Sequence, residues 1–151
     1  MSVFRAAMHE SPMSKMVIPS KLTVLARVQE AIIQTAQAQG YGKEEIFAIR
    51  LSVDEAVTNA IHHGNGDDPN KKVTIEYSVD DQAVRITVTD EGKGFCPDGL
   101  PDPTEEANLA TPHGRGVMLM SVYMTEVKYN PCGNAISMVK HKGCKLPSKE
   151  E

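Results

Sequence analysis

Tryptophan is absent from the 151 residues, and the apolar share, 40%, is otherwise ordinary. Cysteine is scarce: Cys96, Cys132 and Cys144 form no CxxC pair, and an odd number without metal-ligand spacing reads as reduced thiols rather than a disulfide scaffold. No basic run is present, and the net charge of -4 makes nucleic acid and anionic membrane poor partners. No apolar stretch approaches the roughly 20 residues of a membrane-spanning helix. The opening "MSVFRAAMHESPMSKM" lacks the long apolar centre of a signal peptide, so a cytoplasmic protein is expected. No internal repeat is visible, and the length suits one domain.

Common nucleotide motifs are missing too. There is no GxxxxGK[ST] phosphate loop, no GxGxxG between a first strand and helix, and no VAIK, HRD or DFG set.

What is there reads as a regular series of elements. Residues 1–14 form an expected flexible leader and 143–151 a flexible tail around a domain at 15–142. Met16-Val17-Ile18 predicts a short edge strand stopped by Pro19, with Ser20 as an N-cap. Leu22, Val24, Leu25, Val28, Ala31, Ile32 and Ala36 recur at helical spacing, and Gly40 and Gly42 end that helix. A second helix runs from about Lys43 to His63 and stops at Gly64-Asn65-Gly66. "KVTIEYSV" and "AVRITVTD" alternate as strands across a hairpin at Asp80-Asp81-Gln82. From Gly92 to Gly116 the chain has no period and carries five glycines and four prolines, a loop of a length usually tied to function or disorder. "VMLMSVYM" then predicts a short helix, and "EVKYN" and "AISMVKH" two strands around Pro131-Cys132-Gly133-Asn134. Hairpin-joined strands with helices on one face give an α+β two-layer sandwich with a mixed, mostly antiparallel sheet.

One stretch does not fit a plain core helix: "LSVDEAVTNAIHHGNG", Leu51 to Gly66. With Glu55 at zero on the helical wheel, Asn59 lies roughly 40° round, Ser52 roughly 60°, and His62 roughly 20° the other way. Ile49, Val53, Ala56 and Ala60 fall between about 100° and 160°. A carboxylate and an amide thus share a ridge beside the buried stripe. Such a ridge can line a cleft, where the carboxylate accepts a proton and the amide oxygen suits Mg²⁺. It can equally be a solvated i,i+4 polar pair that steadies the helix.

Two glycine elements favour the cleft. "TDEGKGF" follows a strand, so Asp90, Gly92 and Gly94 bring backbone close to a flat ligand, and the Asp90 carboxylate can accept from an exocyclic amine. "HGRGVMLM" sets Gly114 and Gly116 at a helix start, where backbone N–H groups and the dipole suit phosphate, and Arg115 adds a charged fork. His62 and His63 close a helix where a cation is favourable, and read as structural. His113 falls on the long loop. Met118, Met120 and Met124 read as core filler, and Glu105-Glu106 as a solvated face.

In this order the three elements resemble the GHKL (Bergerat-fold, histidine kinase-like ATPase) superfamily, with "DEAVTNAIHHG" similar to its N box, "DEGKG" to its G1 box and "GRG" to its G2 box. The resemblance covers Ile18 to Lys140. Within it, Ile18-Pro19-Ser20 and Glu55 to Ala60 resemble the small anti-sigma-factor serine/threonine-protein kinases of bacterial partner-switching systems. The resemblance implies ATP and Mg²⁺, with Asn59 holding the metal and Glu55 the catalytic base. Asp90 would read adenine, with Gly92 and Gly94 shaping the pocket, and Gly114, Arg115 and Gly116 would meet the phosphates. Residues 95–112 would form an ATP lid. The partners implied are a STAS-domain anti-sigma-factor antagonist, as phosphoacceptor, and a sigma factor or other regulator; the oligomeric state is left open, with the first strand, Met16 to Ile18, or the first helix as the surface a homodimer could use. Two positions depart from the pattern: His113 stands where members often have a second glycine, and Gly133-Asn134-Ala135 stands where a last-strand Thr is common. An ATP-sensing binding module without chemistry and a simple ATPase are the alternative readings.

Overall fold

The computed structural model describes residues 13–92 and 119–143. The leader up to residue 12, most of the tail, the lid, Gly94, His113, Gly114, Arg115, Gly116 and Met118 lie outside the described residues.

The chain runs β1 (Ser14–Pro19), a 3₁₀ turn (Leu22–Val24), α1 (Leu25–Ala38), α2 (Lys43–Asn59), a π-helical turn (Ala60–Gly64), β2 (Lys72–Val79) and β3 (Ala83–Thr89). Helical residues at 119–123 then lead to β4 (Glu126–Tyr129) and β5 (Ala135–His141). The five strands form one sheet in the order β1-β2-β3-β5-β4. Every neighbouring pair among the described residues is antiparallel, including β1–β2 and β3–β5, which no hairpin joins, so the sheet there is antiparallel rather than mixed.

Alternation along the strands sets the layers. Val73 and Ile75 of β2, Val84, Ile86 and Val88 of β3, and Ile136 and Met138 of β5 are buried, while Arg85 and Ser137 between them are exposed. The opposing layer comes from Val28, Ile32, Ile33 and Ala36 of α1 and from Ile49, Val53, Ala56 and Val57 of α2. Each fully buried aliphatic side chain contributes about 1.5–3 kcal/mol. Met120 and Met124 close the core beside β5, in the filler role expected of them. The fold is the two-layer α+β sandwich with its helices on one face.

Local chemistry explains the element ends. Gly40, at φ 89°, turns the chain out of α1 through the left-handed region. The Gly42 N–H donates to Glu45 Oε1 at 2.7 Å, and Glu44 and Glu45 set negative charge in the first turn of α2. The β2–β3 hairpin is held by Asp80 Oδ1, which accepts the N–H groups of Gln82 and Ala83.

Two expectations are corrected. Ser20 is not an N-cap: Lys21 takes that position and no side chain caps the turn. The Ser20 hydroxyl turns inward instead, donating to the Lys71 carbonyl at 2.8 Å. Nor does α2 continue as an α-helix to His63. It ends at Asn59, and the next turn widens so that the Asn65 N–H reaches the Ala60 carbonyl, five residues back, at 2.8 Å.

Candidate nucleotide site

A cavity of about 340 Å³ opens between the end of α2, the π-helical turn and the ends of β3, β4 and β5. That volume falls in the range of small-molecule sites, about 300–1,000 Å³. Asn59 and Asp90 both line it, so the helix ridge and the strand end separated by 31 positions in the sequence meet at one place.

The α2 ridge carries the amide inward. Ala56 and Ala60 are small, the helix packs against β5, and Asn59 lines the cavity between them. The Asn59 Nδ2 is buried and has no hydrogen-bond partner among the described residues. A buried amide nitrogen left unpaired costs about 1–3 kcal/mol, which a ligand oxygen would recover. The same amide offers Oδ1 as a hard neutral ligand of the kind Mg²⁺ takes. Glu55, one turn earlier, is half-buried but is not among the described residues lining the cavity. Burial, and next the neighbouring Asp54, raise its pKa above the ordinary carboxylate value. A raised carboxylate is a better proton acceptor than a free one.

Asp90 is fixed from several directions. Its N–H donates to the Asn134 carbonyl at 2.9 Å, and its own carbonyl accepts from Asn134 Nδ2 at 3.3 Å. Its Oδ1 accepts the Gly92 N–H at 2.8 Å, closing a tight turn. Burial raises its pKa; the Gly92 N–H and the positive charge of Lys71, also on the cavity wall, pull it back. Tyr129 lines the same end, its phenol pushed up to about 12 by burial and by Asp90.

The glycines are sterically required. A β-carbon on Gly64 would lie 2.3 Å from the Asp90 carboxyl, and one on Gly92 would lie 1.9 Å from the Gly64 carbonyl oxygen. The widened turn and the strand end therefore interlock through two residues without side chains. Gly92 lies next to Asp90 and packs against the Gly64 carbonyl, while Gly94, Gly114, Arg115 and Gly116 lie outside the described residues.

Where a last-strand hydroxyl is common, Asn134 instead braces the Asp90 backbone, and Asn130 holds it in turn through Nδ2 to Asn134 Oδ1 at 2.9 Å. Ser137 does not substitute, because it lies on the exposed face with its Oγ 3.0 Å from Thr87 Oγ1. Sequence reasoning missed Gly64, Asn65, Lys71 and Tyr129 as cavity residues and took His63 only as a helix-end residue, although it lines the wall. His62 does keep a structural place, with Nδ1 2.5 Å from Asp67 Oδ1.

Comparison with known proteins agrees with this geometry. The histidine kinase-like ATPase domain family matches residues 18–140, and the chain belongs to that family. More narrowly, it is similar to the serine-protein kinase RsbW of Bacillus subtilis, 28% identical over 134 residues that cover 84% of each chain. It is 33% identical to the anti-sigma F factor of Clostridium perfringens over 112 residues, 72% of this chain and 74% of that one. Among solved structures, the RsbU and RsbW domains of a Mycobacterium tuberculosis protein share its fold with a TM-score of 0.59 at 15% identity. That match covers 90% of this chain and 33% of the larger one, so the chain spans about a third of that protein. Its relatives are thus protein serine kinases and anti-sigma factors of the GHKL type.

Proposed function

We propose that the protein is an ATP-dependent protein serine/threonine kinase acting as a cytoplasmic anti-sigma factor or similar regulatory switch, with a STAS-type anti-sigma-factor antagonist as phosphoacceptor. The observation that carries the reading is the unpartnered Asn59 amide facing the same cavity as Asp90. A folding role gives no reason to leave that nitrogen unpaired.

Each residue then has a task. Asp90 accepts from the exocyclic amine of adenine, held in place by the turn to Gly92. Asn59 holds Mg²⁺ through its amide oxygen, and the amide nitrogen meets a phosphate oxygen. Mg²⁺, when bound, neutralises charge that develops on the phosphates. Glu55 takes the proton of the acceptor hydroxyl, which its raised pKa favours. Gly114, Arg115 and Gly116 are assigned to the phosphates and residues 95–112 to the lid.

Calorimetry of ATP with and without Mg²⁺ tests the site, on wild type and Asn59→Ala. Mg²⁺-dependent binding that the variant loses supports the reading; absence of binding by wild type overturns it. A second reading, an ATP-sensing protein-binding module without chemistry, is favoured by the position of Glu55 outside the described cavity lining and by the missing last-strand hydroxyl. Transfer of radiolabel from ATP to a STAS-domain protein separates the two.

A further inference from the structure

Asn65 sits in the turn after α2, in a stretch of turn-forming residues, yet it is 3% exposed. Its side chain is fully engaged. Oδ1 accepts the Glu91 N–H at 2.7 Å, and Nδ2 donates to Ser20 Oγ at 2.8 Å and to the Lys72 carbonyl at 3.0 Å. The Ser20 hydroxyl, itself buried, passes its proton-bearing side on to the Lys71 carbonyl. One amide thus joins the end of β1, the start of β2 and the segment that follows β3.

Glu91 stands between Asp90 and Gly92, so its amide is the hinge point of the base-reading turn. Asn134 grips Asp90 on the β5 side through two backbone-directed bonds, and Asn65 grips the next peptide from the opposite side. Only an amide of this length serves: aspartate lacks the two donors, serine lacks both the reach and the second donor, and glutamine adds a methylene in a buried spot.

We propose that Asn65 is a positioning residue of the nucleotide site, holding the Asp90–Gly92 turn in register with the exocyclic amine of the base and drawing its own setting from Ser20 at the end of β1. The inference rests on the reading of Asp90 as the group that meets that amine. Asn65 touches no reacting atom. It acts through Asp90, so its loss should erase discrimination at the base while the phosphate end still binds.

The test compares two probes on the full chain by calorimetry: ATP and purine riboside 5′-triphosphate, which lacks the amine. One hydrogen bond to a charged acceptor predicts that wild type prefers ATP by at least about tenfold. In Asn65→Ala the preference falls to about twofold or less, and the Glu91 amide, which has lost its acceptor, exchanges faster with solvent. Ser20→Ala, which removes one of the two Nδ2 partners, should lower the preference by a smaller factor of about three. A variant that binds both nucleotides more weakly but keeps the wild-type preference overturns the proposal and leaves the Asp90 reading standing. A wild type without preference overturns both. Should Asn65→Ala fail to fold, Ser20→Ala decides: an unchanged preference together with unchanged exchange at Glu91 overturns the proposal.

Discussion

The two ends of the sheet use their polar groups in opposite ways. At the end away from the cavity every polar group named here is paired. Tyr41 donates to the Asp80 carbonyl at 2.8 Å. Glu45 accepts the Gly42 and Gly143 N–H groups. Lys142 donates to the Gln39 carbonyl at 2.5 Å, with its ammonium 5.3 Å from the centre of the Tyr41 ring. These bonds tie the α1–α2 connection to the hairpin and to the residues after β5. At the cavity end, Asn59 Nδ2 has no partner among the described residues, Glu55 and Asp90 are carboxylates whose pKa burial raises, and backbone meets backbone across two glycines. Satisfied polar groups build structure; an unsatisfied amide on a cavity wall is open to a ligand.

The strongest test of the contrast is Glu55→Ala. Phosphotransfer to a STAS-domain acceptor should fall by about 10²–10⁴-fold, while ATP affinity by calorimetry stays close to wild type. A wild-type transfer rate would remove Glu55 as the base. Next comes Gly64→Ala. Its β-carbon would collide with the Asp90 carboxyl, so overpacking of about 1–3 kcal/mol should appear in denaturant unfolding together with loss of ATP binding. Gly143→Ala, away from the cavity, sharpens the point: nothing lies within 4 Å, and only the positive φ of 87° opposes the substitution. That variant should lose about 1–2 kcal/mol of stability and keep ATP binding.

At the paired end the effects reverse. Tyr41→Phe removes one hydrogen bond and should cost about 1 kcal/mol in urea unfolding with no change in ATP affinity. The smallest effect is a pH profile. Because folding raises the Asp90 pKa, folding disfavours its charged form. The stability this group contributes is present below the ordinary carboxylate value of about 4 and is lost as pH rises through the folded value. Asp90→Asn keeps an acceptor for Gly92 without the charge. Its melting temperature relative to wild type should therefore climb from about pH 4 upward and level off once the pH has passed the raised folded value, even as ATP binding weakens. A flat difference across that range would show that burial does not oppose the charge.

The elements were largely legible because they follow short periods: strand alternation in β2, β3 and β5, and helical spacing in α1 and α2. Glu55 and Asn59 were legible for the same reason, as a polar ridge beside an apolar stripe. Asp90 and Gly92 could be read from a strand end followed by glycine. The parts that escaped are long-range. Ser20 carries every mark of a cap, yet its partners are 45 and 51 positions away. Asn65 lies among turn residues, and Gly64 reads as a helix stop until Asp90 is brought against it. No local pattern distinguishes a turn asparagine from one whose Oδ1 accepts an N–H 26 residues on. The π-helical turn was equally invisible, since it shifts a single bond without altering composition.

That turn has a consequence for how the chain can change in length. A π-turn is an α-helix holding one residue more than its hydrogen bonding requires. Taking one residue out of the turn ahead of Gly64 would let the α pattern run on, without the wide turn that now carries the chain from α2 to Gly64 and Asn65. Glu55 and Asn59 would keep their ridge, but the Gly64 carbonyl would leave Gly92 and Asn65 would leave Glu91. The site is in this sense an insertion made permanent, and because Ala60 and Ile61 of the turn belong to the core, its length ties recognition of the base to the packing of the fold.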